Sequence, residues 1–155
     1  MRRALDIGLV LLLAGGLALA GAPAAFAESR GAGLKSDHHR APAQVTFVAV
    51  AADGRERRGQ YFMADRVRIL KIDVEWLTLV GAHTQQLELI TPDGSIYQRF
   101  TSAVESVVGR ATVETRLPVA GTWITEFSLE GTWKVKVYLD EAVTPLATAT
   151  FTLAK

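Results

Sequence analysis

From Thr132 to Leu139 the chain alternates without a break, with Trp133, Val135, Val137 and Leu139 on one side and Thr132, Lys134, Lys136 and Tyr138 on the other. Period two is the repeat of a β-strand with one dry and one wet face. Such a strand needs sheet neighbours and a second layer over Trp133.

The same alternation recurs along most of the chain. Val45, Phe47 and Ala49 read as a first strand, and Asp53-Gly54 as the turn that closes it. Leu70, Ile72, Val74 and Trp76 share one face and Lys71, Asp73 and Glu75 the other, while Val67 and Ile69 lie on the opposite parity. A change of buried face is therefore expected between Ile69 and Leu70, as a bulge or sheet crossing produces. The stretch from Trp76 to His83, with Gly81 inside it, reads as a loop or strand end. Leu87–Thr91, Pro92-Asp93-Gly94 and Ser95–Phe100 form the plainest hairpin, because proline presets the first turn angle and glycine accepts a positive φ. Ser102–Arg110 reads as a loop with room for a helical turn. Val113, Thr115 and Leu117 mark another strand that Pro118 ends.

Gly121-Thr122-Trp123 is followed ten residues later by Gly131-Thr132-Trp133, which reads as two successive turn-to-strand starts. After a loop from Asp140 to Pro145, Ala147, Ala149, Phe151 and Leu153 alternate with Thr148, Thr150 and Thr152 in the last strand. That strand is expected to pair antiparallel with the first. About seven or eight strands and no amphipathic helix predict an all-β, antiparallel sandwich over residues 44–155, with a small closed barrel as the alternative. Its predicted core holds Leu70, Ile72, Val74, Trp133, Val135, Val137, Leu139 and Phe151.

The N-terminus breaks this pattern. Met1-Arg2-Arg3, an apolar run from Ile7 to Ala20 and Ala25-Phe26-Ala27 have the layout of a secretory signal peptide over residues 1–27. Its apolar core is shorter than the roughly 20 residues of a membrane-spanning helix. Cleavage after Ala27 leaves no spanning segment, and the absence of cysteine leaves no lipid-anchoring residue. Residues 28–43 carry no periodicity and read as a flexible leader.

Charge narrows the partners. Removing Arg2, Arg3 and Asp6 takes the formal charge from +1 to about zero, which is not the basic footprint of a nucleic-acid binder. Arg55-Glu56-Arg57-Arg58 reads as a solvated strand end; its rival, a phosphate or lipid-headgroup patch, is weakened by Glu56 within the run. An exported chain without cysteine is held by its core alone, which suits the bacterial periplasm or a secreted location.

Asp65-Arg66-Val67 leading into Ile72-Asp73-Val74-Glu75-Trp76, Thr91-Pro92-Asp93-Gly94 before Tyr97, and Gly131-Thr132-Trp133-Lys134-Val135 with Tyr138-Leu139-Asp140 carry a resemblance. Over residues 44–153 the chain resembles immunoglobulin-like and fibronectin type III-like modules of bacterial exported proteins, and is similar to the small sandwich domains of macroglobulins. It lacks both cysteines of antibody-type domains. The resemblance implies a spacer, adaptor or binding module and brings no catalytic residues.

The chemistry-bearing residues agree with a non-enzyme. No GxSxG, HExxH, SxxK or phosphate-binding glycine loop occurs, so neither a catalytic set nor a cofactor is expected. His38 and His39, beside Asp37, are the weak metal candidates of a periplasmic carrier; adjacent histidines lack the spacing of a metal site. His83 reads as a loop histidine. The leading expectation is a protein partner in the cell envelope, met through a surface built from Thr148, Thr150, Thr152, Tyr138, Lys134 and Lys136. The alternative is a carbohydrate stacked on Trp76, Trp123, Tyr61, Tyr97 or Tyr138.

Overall fold

The computed structural model describes residues 42–155; the signal, His38 and His39, and all but the last two residues of the leader lie outside them. Seven strands make one curled, mixed sheet: β1 (Ala43–Val50), β2 (Glu56–Arg58), β3 (Tyr61–Met63), β4 (Ile69–Ile90), β5 (Ile96–Pro118), β6 (Gly131–Leu139) and β7 (Ala147–Ala154). A 3-10 turn, Ala64–Arg66, precedes β4, and a single-turn helix, α1 (Trp123–Glu126), precedes β6.

The organising element is the β4–β5 ribbon. Its strands run 22 and 23 residues around the turn at Thr91–Ser95, which Gly94 N–H closes by donating to Thr91 O over 3.0 Å. One edge of β4 serves two partners. Ile69–Trp76 pairs with β1, and Gln85–Ile90 pairs with β6. The strand order is therefore β2-β1-β4-β6-β7-β3, with β5 along the other edge of β4.

Between the two halves the ribbon bends. Leu77 and Thr78 oppose one residue of β5, and Val80 opposes Val107 and Val108, so extra residues fall on opposite strands in quick succession. Gly109 adopts φ +84°, a conformation that glycine takes without steric cost. The shift also moves the buried parity from Trp76 to Leu79, and from there Gln85, Leu87 and Leu89 face inward.

The bend folds one half of the sheet over the other. Phe47 on β1 meets Phe151 on β7 at 5.0 Å between ring centroids, Phe151 stacks at 6.0 Å on Trp133, and Tyr97 touches Trp133 edge-on at 5.2 Å. Around this aromatic row lie Leu70, Ile72, Val74, Val135 and Val137, all fully buried. Each large apolar side chain placed there contributes roughly 1.5–3 kcal/mol of transfer free energy.

Several expectations are corrected. Trp76–His83 and Ser102–Arg110 are strand, because each supplies the other's ladder partners. The change of face within β4 comes after Trp76; Val67 is buried ahead of the strand, following the 3-10 turn. Gly121-Thr122-Trp123 starts a helix, because the Thr122 hydroxyl caps it by accepting from Ile124 N–H, whereas Gly131-Thr132-Trp133 starts β6. The last strand pairs antiparallel with β6 and parallel with β3, so the sheet is mixed, and the first strand pairs with β2 and β4. Leu139 is only half-buried, at the outgoing end of β6, and Ala43 belongs to β1.

Candidate functional site

The curled sheet closes on itself along one seam, between β1 and β7, and the β2–β3 segment lies in that seam. Gly59 N–H donates to Phe47 O on β1 over 3.1 Å, and the next residue, Gln60, accepts at its carbonyl from Thr152 N–H on β7 over 2.7 Å. Two consecutive residues thus bridge the edges. Below them the seam stays open as a groove of about 510 Å3, floored and walled by Ala43–Thr46, Gln60 and Ala147–Thr150.

Backbone direction in the groove follows from the ladder. In a strand, alternate residues turn both N–H and C=O to the same side. Phe47 addresses β2, so Ala43 and Val45 aim their backbone groups the same way, below the last residue of β2. Thr152 addresses β3, so Thr148 and Thr150 aim theirs along the free stretch that β3 does not reach. Two stretches of unpaired edge face one groove. Exposed edges of this kind are templates for a further strand.

The expected surface residues share the outer face of β6 and β7. Lys134 lies opposite Thr150 and Lys136 opposite Thr148, while the Thr132 and Thr152 hydroxyls meet at 3.2 Å. Tyr138 is half-buried, and its hydroxyl donates to Glu88 Oε2 over 3.1 Å. Arg99 Nε donates to the other oxygen, Glu88 Oε1, over 2.7 Å. That guanidinium, with help from Tyr138, holds the Glu88 carboxyl below its ordinary value, and burial first, then the carboxylate, pushes the Tyr138 phenol up. These partners tie Tyr138 down, while Thr148 and Thr150 stay exposed at the groove.

The sugar candidates scatter. Trp76 is buried with its Nε1 bonded to Gln85 Oε1 at 2.8 Å, and Tyr97 packs on Trp133. Trp123 is 67% exposed, but Phe127 stands nearly perpendicular to it, at 86°, so the pair offers no coplanar platform. Tyr61 lies exposed on β3.

Sequence reasoning missed one polar cluster. His83 Nδ1 sits 2.8 Å from Asp140 Oδ2 and its Nε2 sits 3.0 Å from Val80 O, while Thr84 N–H donates to Asp140 Oδ1 over 3.0 Å. Both ring nitrogens face acceptors, so the imidazolium satisfies more bonds than either neutral tautomer. Asp140 foremost, then the Val80 carbonyl, raises the His83 pKa, and His83 in turn lowers that of Asp140. The two residues lie 57 positions apart, and no local pattern marks the pair.

No protein-family model matches the chain, and no curated protein matches it.

Proposed function

We propose that the chain is an exported, non-catalytic module of the periplasm or the medium, built as an immunoglobulin-like sandwich, that holds a protein partner by accepting one of its strands. The observation that carries this reading is the open groove with unpaired backbone at Ala43 and Val45 on one side and Thr148 and Thr150 on the other. A partner strand lying along Thr148–Thr150 continues the line of β3 and pairs with β7, in the manner of β-strand addition. Main-chain bonds supply the affinity. Small neutral side chains along the groove, Ala147, Thr148, Ala149 and Thr150, favour a neutral extended segment over a charged one.

The sandwich reading draws on the bend, which lays the β1 half over the β6–β7 half with Phe47, Phe151 and Trp133 between them. The non-catalytic reading draws on where the charges go. Lys71 meets Glu56 at 2.6 Å, and Arg99 meets Glu88 and Arg116 meets Glu114 at 2.7 Å, a mesh of structural ion pairs spread over the strands.

The test is a photoreactive residue placed at Thr148 in the full chain, expressed in its own cells. Cross-linking of one protein from Thr148, lost when Thr150→Pro removes the neighbouring edge donor, is the expected outcome. Cross-linking from Arg116 on β5 but not from Thr148, or indifference to Thr150→Pro, contradicts the seam.

A further inference from the structure

Above the Gly59-Gln60 bridge the seam opens again, into a cleft of about 350 Å3 between β2 and β3. Its apolar floor is Ala49, Phe62, Met63 and Val67, with Phe62 and Val67 both buried. Arg55, Arg57 and Arg66 stand at its rim with Glu56. Glu56 is engaged by Lys71 at 2.6 Å, and Arg55 by Asp53 at 3.2 Å. Among the described residues no carboxylate lies within 4.0 Å of Arg57 or Arg66.

The position of Arg57 is telling. It pairs with Ala49, so it leaves the β1–β2 hairpin on the side that carries Phe47 and Ala49, and its side chain is exposed there at the mouth of the cleft. Glu56 and Arg58 take the solvent side, the place of a solvated strand end. An exposed arginine at the rim of an apolar floor, with no carboxylate beside it, has its bidentate fork available for an incoming anion.

The walls add a second requirement. Arg57 and Gly59 spend their backbone groups on β1, so Glu56, which lines the cleft, turns its own away from β1. Gln60 addresses β7, and Met63, on the opposite alternation, turns its backbone away from β7 and lines the cleft on the other wall. The cleft is thus flanked by two strand edges. A simple fatty acid uses the floor and the arginines but leaves both edges unmet; an extended polypeptide end uses all three.

We infer that the cleft between β2 and β3 captures the C-terminus of a polypeptide partner, with its carboxylate on Arg57 and Arg66, its last, apolar side chain against Phe62 and Val67, and its backbone along a wall. The volume lies at the low end of the roughly 300–1,000 Å3 of ligand sites, which suits one side chain and a carboxylate. Capture of a terminal carboxylate and strand addition are established modes of peptide recognition. This inference rests on the reading of the chain as a protein-binding module.

The experiment is a selection of peptides with random final residues and free C-terminal carboxylates on the protein isolated from cells expressing the full chain. The expected result is a pool converging on apolar last residues. Binding of a selected peptide then falls about tenfold or more when its terminus is amidated, since hydrogen bonds to charged groups carry that much. It falls comparably in the Arg57→Gln, Arg66→Gln double variant and holds in Arg58→Gln on the solvent side. If the double variant melts early, the amidated peptide on the native protein decides alone. No preference for the last residue, equal binding of the amidated peptide, or equal loss in Arg58→Gln overturns the inference. Saturation of the cleft by octanoate with the same arginine dependence also overturns it. Cross-links from Thr148 that persist in the double variant while no peptide is selected sink the cleft and leave the seam standing.

Discussion

The indole Nε1 of Trp76 donates to Oε1 of Gln85 over 2.8 Å, and the two side chains are each about 1% exposed. They lie on either side of the kinked segment of β4, so this single bond ties the two halves of the folded ribbon together. Replacing Gln85 by leucine leaves a buried N–H without a partner. The expected cost is about 1–3 kcal/mol in urea unfolding, against little change for Gln86→Leu, whose side chain is half-buried. Equal stability of the two variants contradicts the tie.

The His83–Asp140 pair sets a pH dependence. The folded pKa of His83 is raised above its ordinary 6.5, so its contribution is complete below that value and is lost as pH climbs through the folded one. Asp140 is lowered from 3.8, so its contribution is lost as pH falls through its folded value. The melting-temperature gap between the parent and His83→Gln should be widest between those limits and narrow as pH rises above 6.5 and through the folded His83 pKa. A gap that stays constant on the alkaline side speaks against the imidazolium.

Gly131 sits at φ +135°, and a Cβ there would come within 2.9 Å of Pro92 Cβ and Cγ. The close approach packs the β4–β5 turn on the start of β6. Gly131→Ala should cost on the order of 2 kcal/mol, combining backbone strain with the clash. Pro92→Gly in the same chain should recover only the clash, because the φ strain remains. Complete recovery in thermal or urea melts would show that the strain argument is wrong.

Tryptophan fluorescence separates the three indoles. Trp76 and Trp133 are buried and Trp123 is exposed, so acrylamide should quench mainly Trp123. The Trp123→Phe variant should lose most of the quenchable signal, and Trp133→Ala should cost roughly 3–5 kcal/mol as a core deletion. Unchanged quenching in Trp123→Phe would place the exposed indole elsewhere.

Much of the sheet was legible because strand alternation is local. The face carrying Trp133, Val135 and Val137, the face carrying Leu70, Ile72 and Val74, and the hairpin at Pro92-Asp93-Gly94 are all written in neighbouring residues. What lay beyond reading depends on partners distant in sequence. Ser102–Arg110 looks like a loop because it is largely polar and small, yet it is strand, and its Val107-Val108 is one side of a bulge opposite Val80. Thr122 and Thr132 stand in the same tripeptide, but only Thr122 has a helix N–H to cap. The threonine stripe of β7 was visible as a polar face. That its backbone borders an open seam depends on where β3 stops, which no residue in the stripe encodes. Arg57 lies on β2 and Arg66 in the 3-10 turn after β3, so the cleft they share was equally out of sight.

The claim on which the functional account turns is that the seam edge of β7 is unpaired, and amide hydrogen exchange on the isolated protein tests it directly. Ala149 and Phe151 donate to β6, whereas Thr148 and Thr150 point into the groove. The account predicts an alternating pattern, with the Thr148 and Thr150 amides exchanging at least about tenfold faster than those of Ala149 and Phe151. Protection of Thr148 and Thr150 equal to that of their neighbours would mean that the edge is already occupied, and the seam would then have no room for a partner.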